Sequence, residues 1–494
     1  MNRLDRRNAR EASRANVGGL GGQSVPIRIR HARASSSEYA SNGDGRPDNL
    51  LALVDQGFVA GQRAIGQTEV MQVVWVYEHD IDFDGLKRFH HNFGYGLSGR
   101  LIERSPLPFG RHRWVLDRGP AAIHFADRAR PRADLSDWAD ERSQVPVDPE
   151  AGPGWHLSVL PLTDGSTAVT WVVSHYIIDG VGGLVAVADA ILGTNRDLGY
   201  PPPRSRTRLR ALAQDLGQTA RDAPEVARAL VALAKLSRRQ RRDAAPSSPA
   251  PRAVARRVDD GADPVIVPGI AILVDLDQWD ARAKSLGGTS TTLAAALAAK
   301  LGEHLGRRRA SDGAVTLQIV MTDRTEGDTR ALAVSFARVS LDPTGLSTDL
   351  RDARAGIKQA LKALQSKPDE SSQLAALSPF TPKRTWKRGV ETQLNDPDMP
   401  VIFSNLGDAG SVVSRADGTQ CEYAWARGTR QRATRQQLER TGGHMQVVSC
   451  RTPGIGTIYL TVVAYHPGAE NTKPALRQLA ARTLAEFGLT GEIE

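Results

Sequence analysis

Residues 168 to 192 change character twice. Ala168-Val-Thr-Trp-Val-Val-Ser174 is rich in β-branched side chains and reads as a strand. Val181 to Leu192 is small and apolar throughout and reads as a buried helix. Between them stand only His175-Tyr-Ile-Ile-Asp-Gly180, so the chain must pass from strand to helix within six residues. Connections of this kind carry chemistry in many folds. The residue types here suit it. An imidazole titrates near neutrality, as a base that activates an alcohol or amine must, and His175 fits that role. Asp179 lies four residues on, in a turn, where its carboxylate can pair with an arginine from elsewhere and fix the loop. Gly180 has no Cβ, so a neighbouring group or substrate can approach closely, and Gly182 and Gly183 add backbone freedom.

The remainder of the chain alternates in the same way. Order begins near Leu50. Val70–Tyr77 reads as a strand and Asp82–Asn92 as a helix with Phe83, Leu86 and Phe89 on one face. His90-His91 at its end has no Asp-Gly behind it and reads as surface or structural. Leu101–Arg104 and Arg113–Leu116 are short strands. Trp155–Leu162 and Thr167–Ser174 flank the turn-forming Thr163-Asp-Gly-Ser166, a hairpin whose second strand delivers His175. Residues 201–263 differ: Tyr200-Pro-Pro-Pro203 breaks the pattern, 206–242 is helix-prone and basic, and Ala244–Pro251 is a Pro-rich linker. The basic segment fits an acidic carrier protein, the phosphates of coenzyme A, or a solvated face that bridges two halves.

The second half starts with a strand at Gly269–Leu276. A helix capped by Asp277 runs to about Leu286. Leu293, Leu297, Leu301 and Leu305 mark an amphipathic helix, and Thr316–Met321 a strand. A helix from Ser347 follows, with Leu350, Ala353, Ile357, Leu361 and Leu364 inward. Strands follow at Val401–Ser404, Met445–Ser449 and Thr457–Ala464. The last helix has Thr472 as cap, Pro474 in its first turn and Gly488 past its end. Strands alternating with helices in both halves, with hairpins between, imply an α/β chain of two sandwiches with mixed sheets.

Charge narrows the partners. The 494 residues carry a net charge of +9, and residues 1–48 read as a disordered basic tail. A basic balance favours acidic partners: nucleic acid, an anionic membrane surface, nucleotide-bearing substrates or acidic carriers. Nucleic acid is not expected, because no recognition motif is present and aromatic residues make up only 5%. Cys421 and Cys450 show no metal-ligand spacing, so no metal site is expected and reduced thiols are the default. There is neither an apolar run long enough to span a bilayer nor an apolar leader, so the chain reads as soluble and cytoplasmic.

The His175-x-x-x-Asp179-Gly180 stretch resembles the signature of an acyltransferase superfamily. Its members include chloramphenicol acetyltransferase, condensation domains, wax ester synthase/diacylglycerol acyltransferases and polyketide-associated acyltransferases. The resemblance implies His175 as catalytic base and Asp179 as a structural residue, salt-bridged to an arginine of the second half. Ser174 stands where many members carry a second histidine. Gly287-Gly-Thr-Ser-Thr291 after a Trp-bearing helix looks like the opening of the family's second half, although Ser290-Thr-Thr292 replaces the Asn-Asp pair usual in wax synthases. Met321-Thr-Asp-Arg324 matches the place of the arginine, so Arg324 is the expected partner of Asp179. Ser404-Asn405 is similar to a Ser-Asn motif near the active-site tunnel. There, with Ser174, it would line the tunnel or hydrogen-bond an oxyanion, or else it forms a turn. The fold implied is a pair of chloramphenicol-acetyltransferase-like subdomains, residues 49–200 and 264–494, with a tunnel between them.

The function implied is a stand-alone acyltransferase. It would move an acyl group from coenzyme A or a carrier protein to an alcohol or amine, with no cofactor beyond that substrate. The alternative is a condensation-like module that docks a carrier or binds a ligand without chemistry.

Overall fold

The structure, a computed structural model, describes residues 48–66, 68–243, 263–366 and 374–494. The basic tail expected over 1–48 lies outside these residues except for Asp48, and the Pro-rich linker at 244–251 lies outside them entirely.

The strands of the first half are β1 (Thr68–Tyr77), β2 (Arg100–Glu103), β3 (Arg113–Leu116), β4 (His124–Phe125), β5 (Trp155–Pro161) and β6 (Thr167–Ser174). Those of the second are β7 (Gly269–Asp275), β8 (Val315–Thr322), β9 (Val334–Leu341), β10 (Val401–Asp408), β11 (Tyr423–Gln431), β12 (His444–Thr452), β13 (Thr457–Tyr465) and β14 (Glu492–Ile493). One sheet runs β11-β1-β6-β5-β4 and the other β14-β7-β13-β12-β10-β8-β9, while β2 and β3 form a separate ribbon. Both large sheets are mixed. β4 is parallel to β5, and β10 is parallel to both β8 and β12, within otherwise antiparallel ladders. The expected hairpin joins β5 to β6, pairing Trp155 with Val173 and Pro161 with Thr167.

The placement of β11 was not foreseen. This second-half strand lies at the edge of the first-half sheet, antiparallel to β1 from Thr68↔Gln431 to Val76↔Tyr423. The division at 49–200 and 264–494 is therefore crossed by a strand. The two sheets also meet through side chains, as where Thr461 Oγ1 donates to the Ala426 carbonyl at 2.8 Å.

The helices are α1 (Leu53–Ile65), α2 (Phe83–Phe93), α3 (Leu135–Ser143), α4 (Gly180–Leu192), α5 (Arg208–Asp243), α6 (Leu276–Ser285), α7 (Ser290–His304), α8 (Arg351–Ser366), α9 (Lys383–Leu394), α10 (Arg435–Arg440) and α11 (Lys473–Glu486). Their ends follow from capping. Asp82 accepts from the amides of Asp84 and Gly85, and Thr472 from that of Ala475.

Four expectations need correction. Phe83 is exposed against Phe125, because it sits about 90° around the helix from the buried Leu86, Phe89 and Phe93. Asp275, not Asp277, caps α6, since β7 ends there and the Asp275 carboxylate takes the Gln278 amide. The helix expected from Ser347 begins at Arg351, after a turn in which the Asp349 carboxylate accepts the Arg351 amide. Finally, α7 is not amphipathic. Its alanines are buried with its leucines, because it is enclosed by β8, β10, α8 and α11. Cys421 and Cys450 are buried free thiols.

Candidate active site

β6 ends at Ser174, and His175 extends its ladder by one bond, its amide donating to the Glu69 carbonyl at 2.9 Å. The chain then turns. The Tyr176 amide donates to Ser174 Oγ at 3.3 Å, and the Ile177 amide to the Ser174 carbonyl. Asp179 ends the turn as the N-cap of α4, accepting from the Gly182 amide at 2.7 Å. The six residues therefore have a fixed path, hydrogen-bonded at both ends.

Beneath this turn lies a buried ion pair. Arg324 follows β8 and grips Asp179 in two-point geometry, Nη2 to Oδ2 at 2.7 Å and Nε to Oδ1 at 3.3 Å. The pair is 4% and 1% exposed respectively, so removing either partner would strand a charge in the interior. Arg324 uses its other donors on its own loop, reaching the carbonyls of Asp328 at 3.0 Å, Arg330 at 3.1 Å and Ala331 at 3.2 Å. Asp179 Oδ2 also accepts the Ala333 amide at 2.8 Å. The pair thus ties the His175 turn of the first half to residues 323–333 of the second.

Two further residues serve the same junction, and sequence reasoning missed both. Asp55, in the first turn of α1, accepts the amides of Ala331 at 2.8 Å and Leu332 at 2.9 Å. Burial pushes its carboxyl up to about 6, against those hydrogen bonds and nearby Arg100 and Arg330. Arg100 is fully buried and lies over the Trp114 ring at 3.7 Å. It donates to the carbonyls of Ile177 and Thr329, bridging the two halves again. Its only signal in the sequence is a charge at the start of a short strand whose other end, Glu103, is charged too. Asp55 gives none, because its partners are backbone amides of a distant loop.

Above the turn a cavity of about 750 Å³, part of it open to solvent, separates the two sheets. His175 and Gly180 lie on its wall. Met71, Val73, Trp75 and Trp171 line it from the first sheet, Leu184 and Val187 from α4, and Val448 and Tyr459 from the second sheet. β11 brings Trp425 and Arg427, and β10 brings Ser404 and Leu406. Most of this surface is apolar. Its charged group is Arg427, whose Nε donates to Gln72 Oε1 at 2.8 Å and whose Nη2 lies 2.6 Å from the Asp140 carboxylate. The His175 ring meets Phe58 of α1 edge-on at 6.1 Å, and its Nδ1 has no hydrogen-bond partner among the described residues.

The expected site residues therefore separate. His175, Gly180 and Ser404 share the cavity, and Asp179 with Arg324 supports it from below. A Cβ on Gly180 would fall 2.8 Å from Leu406 Cδ2, so the absent side chain makes room for a residue of the other half. Ser174 and Asn405 do not line the cavity. Ser174 is wholly buried as the acceptor of its own turn. Asn405 lies within β10 where its ladder becomes irregular, its Oδ1 taking the Gly407 amide two residues on and its Nδ2 donating to Thr291 Oγ1, both at 2.8 Å. Among the described residues no cluster of three His, Cys, Asp or Glu side chains is placed to hold a metal.

Solved structures share this fold. The first condensation domain of the calcium-dependent antibiotic synthetase, in complex with a substrate analogue, matches with a TM-score of 0.51 at 11% identity, over 90% of this chain and 99% of that one. A second structure of that domain gives a TM-score of 0.50 at 11% identity, over 90% and 99%. The chain has the condensation-domain fold. The wax ester synthase/diacylglycerol acyltransferase from Marinobacter aquaeolei VT8 is similar with a TM-score of 0.49 at 14% identity, over 89% of this chain and 98% of that one. No protein-family model and no curated protein matches the sequence. Within its condensation fold, this chain places one imidazole on the wall of an apolar cavity, at the junction of its two halves.

Proposed function

We propose that the protein is an acyltransferase that moves an acyl group from a thioester, on coenzyme A or a carrier protein, to an alcohol or amine. The observation that carries this reading is His175. It stands on the wall of a largely apolar cavity that both halves enclose, on a turn held by the buried Asp179–Arg324 pair. The acyl chain lies in the cavity with its thioester carbonyl at His175. His175 removes the proton from the hydroxyl or amine as the oxygen or nitrogen attacks that carbonyl. The tetrahedral oxyanion collapses, the C–S bond breaks, and the proton passes from the imidazolium to the departing thiolate. Ser404, on the same wall, is the hydroxyl we assign to the oxyanion. Asp179 and Arg324 position the base and touch no substrate.

The test is thiol release from acyl-coenzyme A donors of rising chain length, and from carrier-loaded acyl groups, with mixed alcohol and amine acceptors. Acceptor-dependent release should fall ~100- to 10,000-fold in His175→Ala, the usual worth of a general base. Release that survives the substitution would remove His175 as the base. No release from any donor by the wild type would favour a non-catalytic module.

A further inference from the structure

α5 is the basic segment between the halves, and it is continuous over Arg208–Asp243, about 54 Å at the usual rise per residue. One face is accounted for. Ala211, Asp215 and Ala229 are buried, and Asp215 anchors the helix by ion pairs to Arg113 and Arg206. Another face is covered by no described residue. Leu209, Leu212 and Leu216, then Ala223, Ala227 and Leu230, recur at spacings of three, four or seven, and every one of them is exposed. Leu209 is 80% exposed, Leu216 59% and Leu230 54%, unusual values for leucines aligned in one stripe. A row of cations runs along a second exposed face. Arg210, Arg221, Arg228 and Lys235 are all exposed and recur at spacings of eleven and seven, about a third of a turn around the helix from the stripe.

We propose that this face of α5 is a membrane-docking surface, laid flat on a bilayer that contains anionic phospholipid. The leucines would enter the acyl boundary and the arginine row would meet the phosphates. Charge complementarity selects this occupant, because a row of exposed cations runs parallel to the stripe and the whole chain carries +9. The inference does not depend on the acyltransferase reading. It has a consequence for it, however, because α5 packs on residues 375–380, these pack on α1, and Phe58 of α1 meets His175. Docking would bring lipid within a few packed layers of the cavity.

Flotation of the full-length protein with vesicles is the test, using phosphatidylcholine alone and a 70:30 mixture with phosphatidylglycerol. Wild type should float with the anionic vesicles about tenfold or more in excess over the neutral ones, and 0.5 M salt should reduce this. The exposed-site variant Leu209→Asp/Leu216→Asp/Leu230→Asp should lose flotation while its circular dichroism is unchanged. Arg210→Glu/Arg221→Glu/Arg228→Glu should lose the preference for anionic lipid. Wild type that fails to float, or variants that float like wild type, would overturn the proposal. So would light scattering that finds a wild-type dimer made monomeric by the leucine variant without any flotation, since a second copy would then cover the stripe. Capture of an acidic carrier protein without flotation would overturn it equally.

Discussion

Asp55 turns burial into a measurable pH dependence. In the folded chain its carboxyl titrates near 6, against an ordinary 3.8. Between these values the folded state holds the extra proton, so the stability this group contributes is present below about 3.8 and lost as the pH rises through 6. Asp55→Asn cannot lose it. The stability of wild type minus that of the variant should therefore fall by ~2 kcal/mol from pH 4 to pH 7, measured by urea unfolding at several pH values. A flat difference would mean that Asp55 does not titrate in this window. The comparison also marks what a sequence discloses. His175, Asp179 and Gly180 were legible because they lie on one short turn at fixed spacing. Arg324 was legible only through the resemblance, which places an arginine after that strand. Asp55 was not, because its partners are amides 276 and 277 residues away. Asn405 and Ser174 show the converse, since turn chemistry and site chemistry use the same residue types.

At the scale of elements, α2 shows how closely the halves fit. Gly85 lies in its first turn, where a Cβ would fall 1.6 Å from the Asp417 carbonyl oxygen. Asp417 also holds the helix start, its Oδ2 accepting the Asp82 amide at 2.9 Å. Helix propensity alone would favour alanine at this position by ~1 kcal/mol. The clash is with backbone and should win, so Gly85→Ala should destabilise by ~3 kcal/mol or more in urea unfolding. Gly66→Ala, with a φ of +72° but open space around it, should cost only ~1–2 kcal/mol. Elements with strong local signals, such as the β-branched run of β6 and the capping residues of α11, could be read from sequence. β11 could not, because Arg427 and Arg430 interrupt its apolar pattern. Both are buried all the same, against Asp140 and Glu69 on neighbouring elements. A strand whose charges are neutralised by distant partners looks like a loop until those partners are known.

In the whole molecule the halves are joined by a shared sheet, not by a linker alone. β11 completes the first sheet, Arg324 is buried against Asp179, and Lys473 reaches Asp140 at 2.6 Å. Domains that merely touch can unfold separately. These should not. Tryptophan fluorescence and far-ultraviolet circular dichroism should trace one coincident urea transition, and separated midpoints would show the halves to be independent. The position of β11 also sets an order of events in synthesis. A chain grows from its first residue, and β1 pairs with a strand that ends at Gln431. The first sheet therefore waits, one edge open, while most of the polypeptide is still being made. The strand that finally closes it also carries Trp425 and Arg427 to the cavity, so the site cannot exist before the sheet is whole.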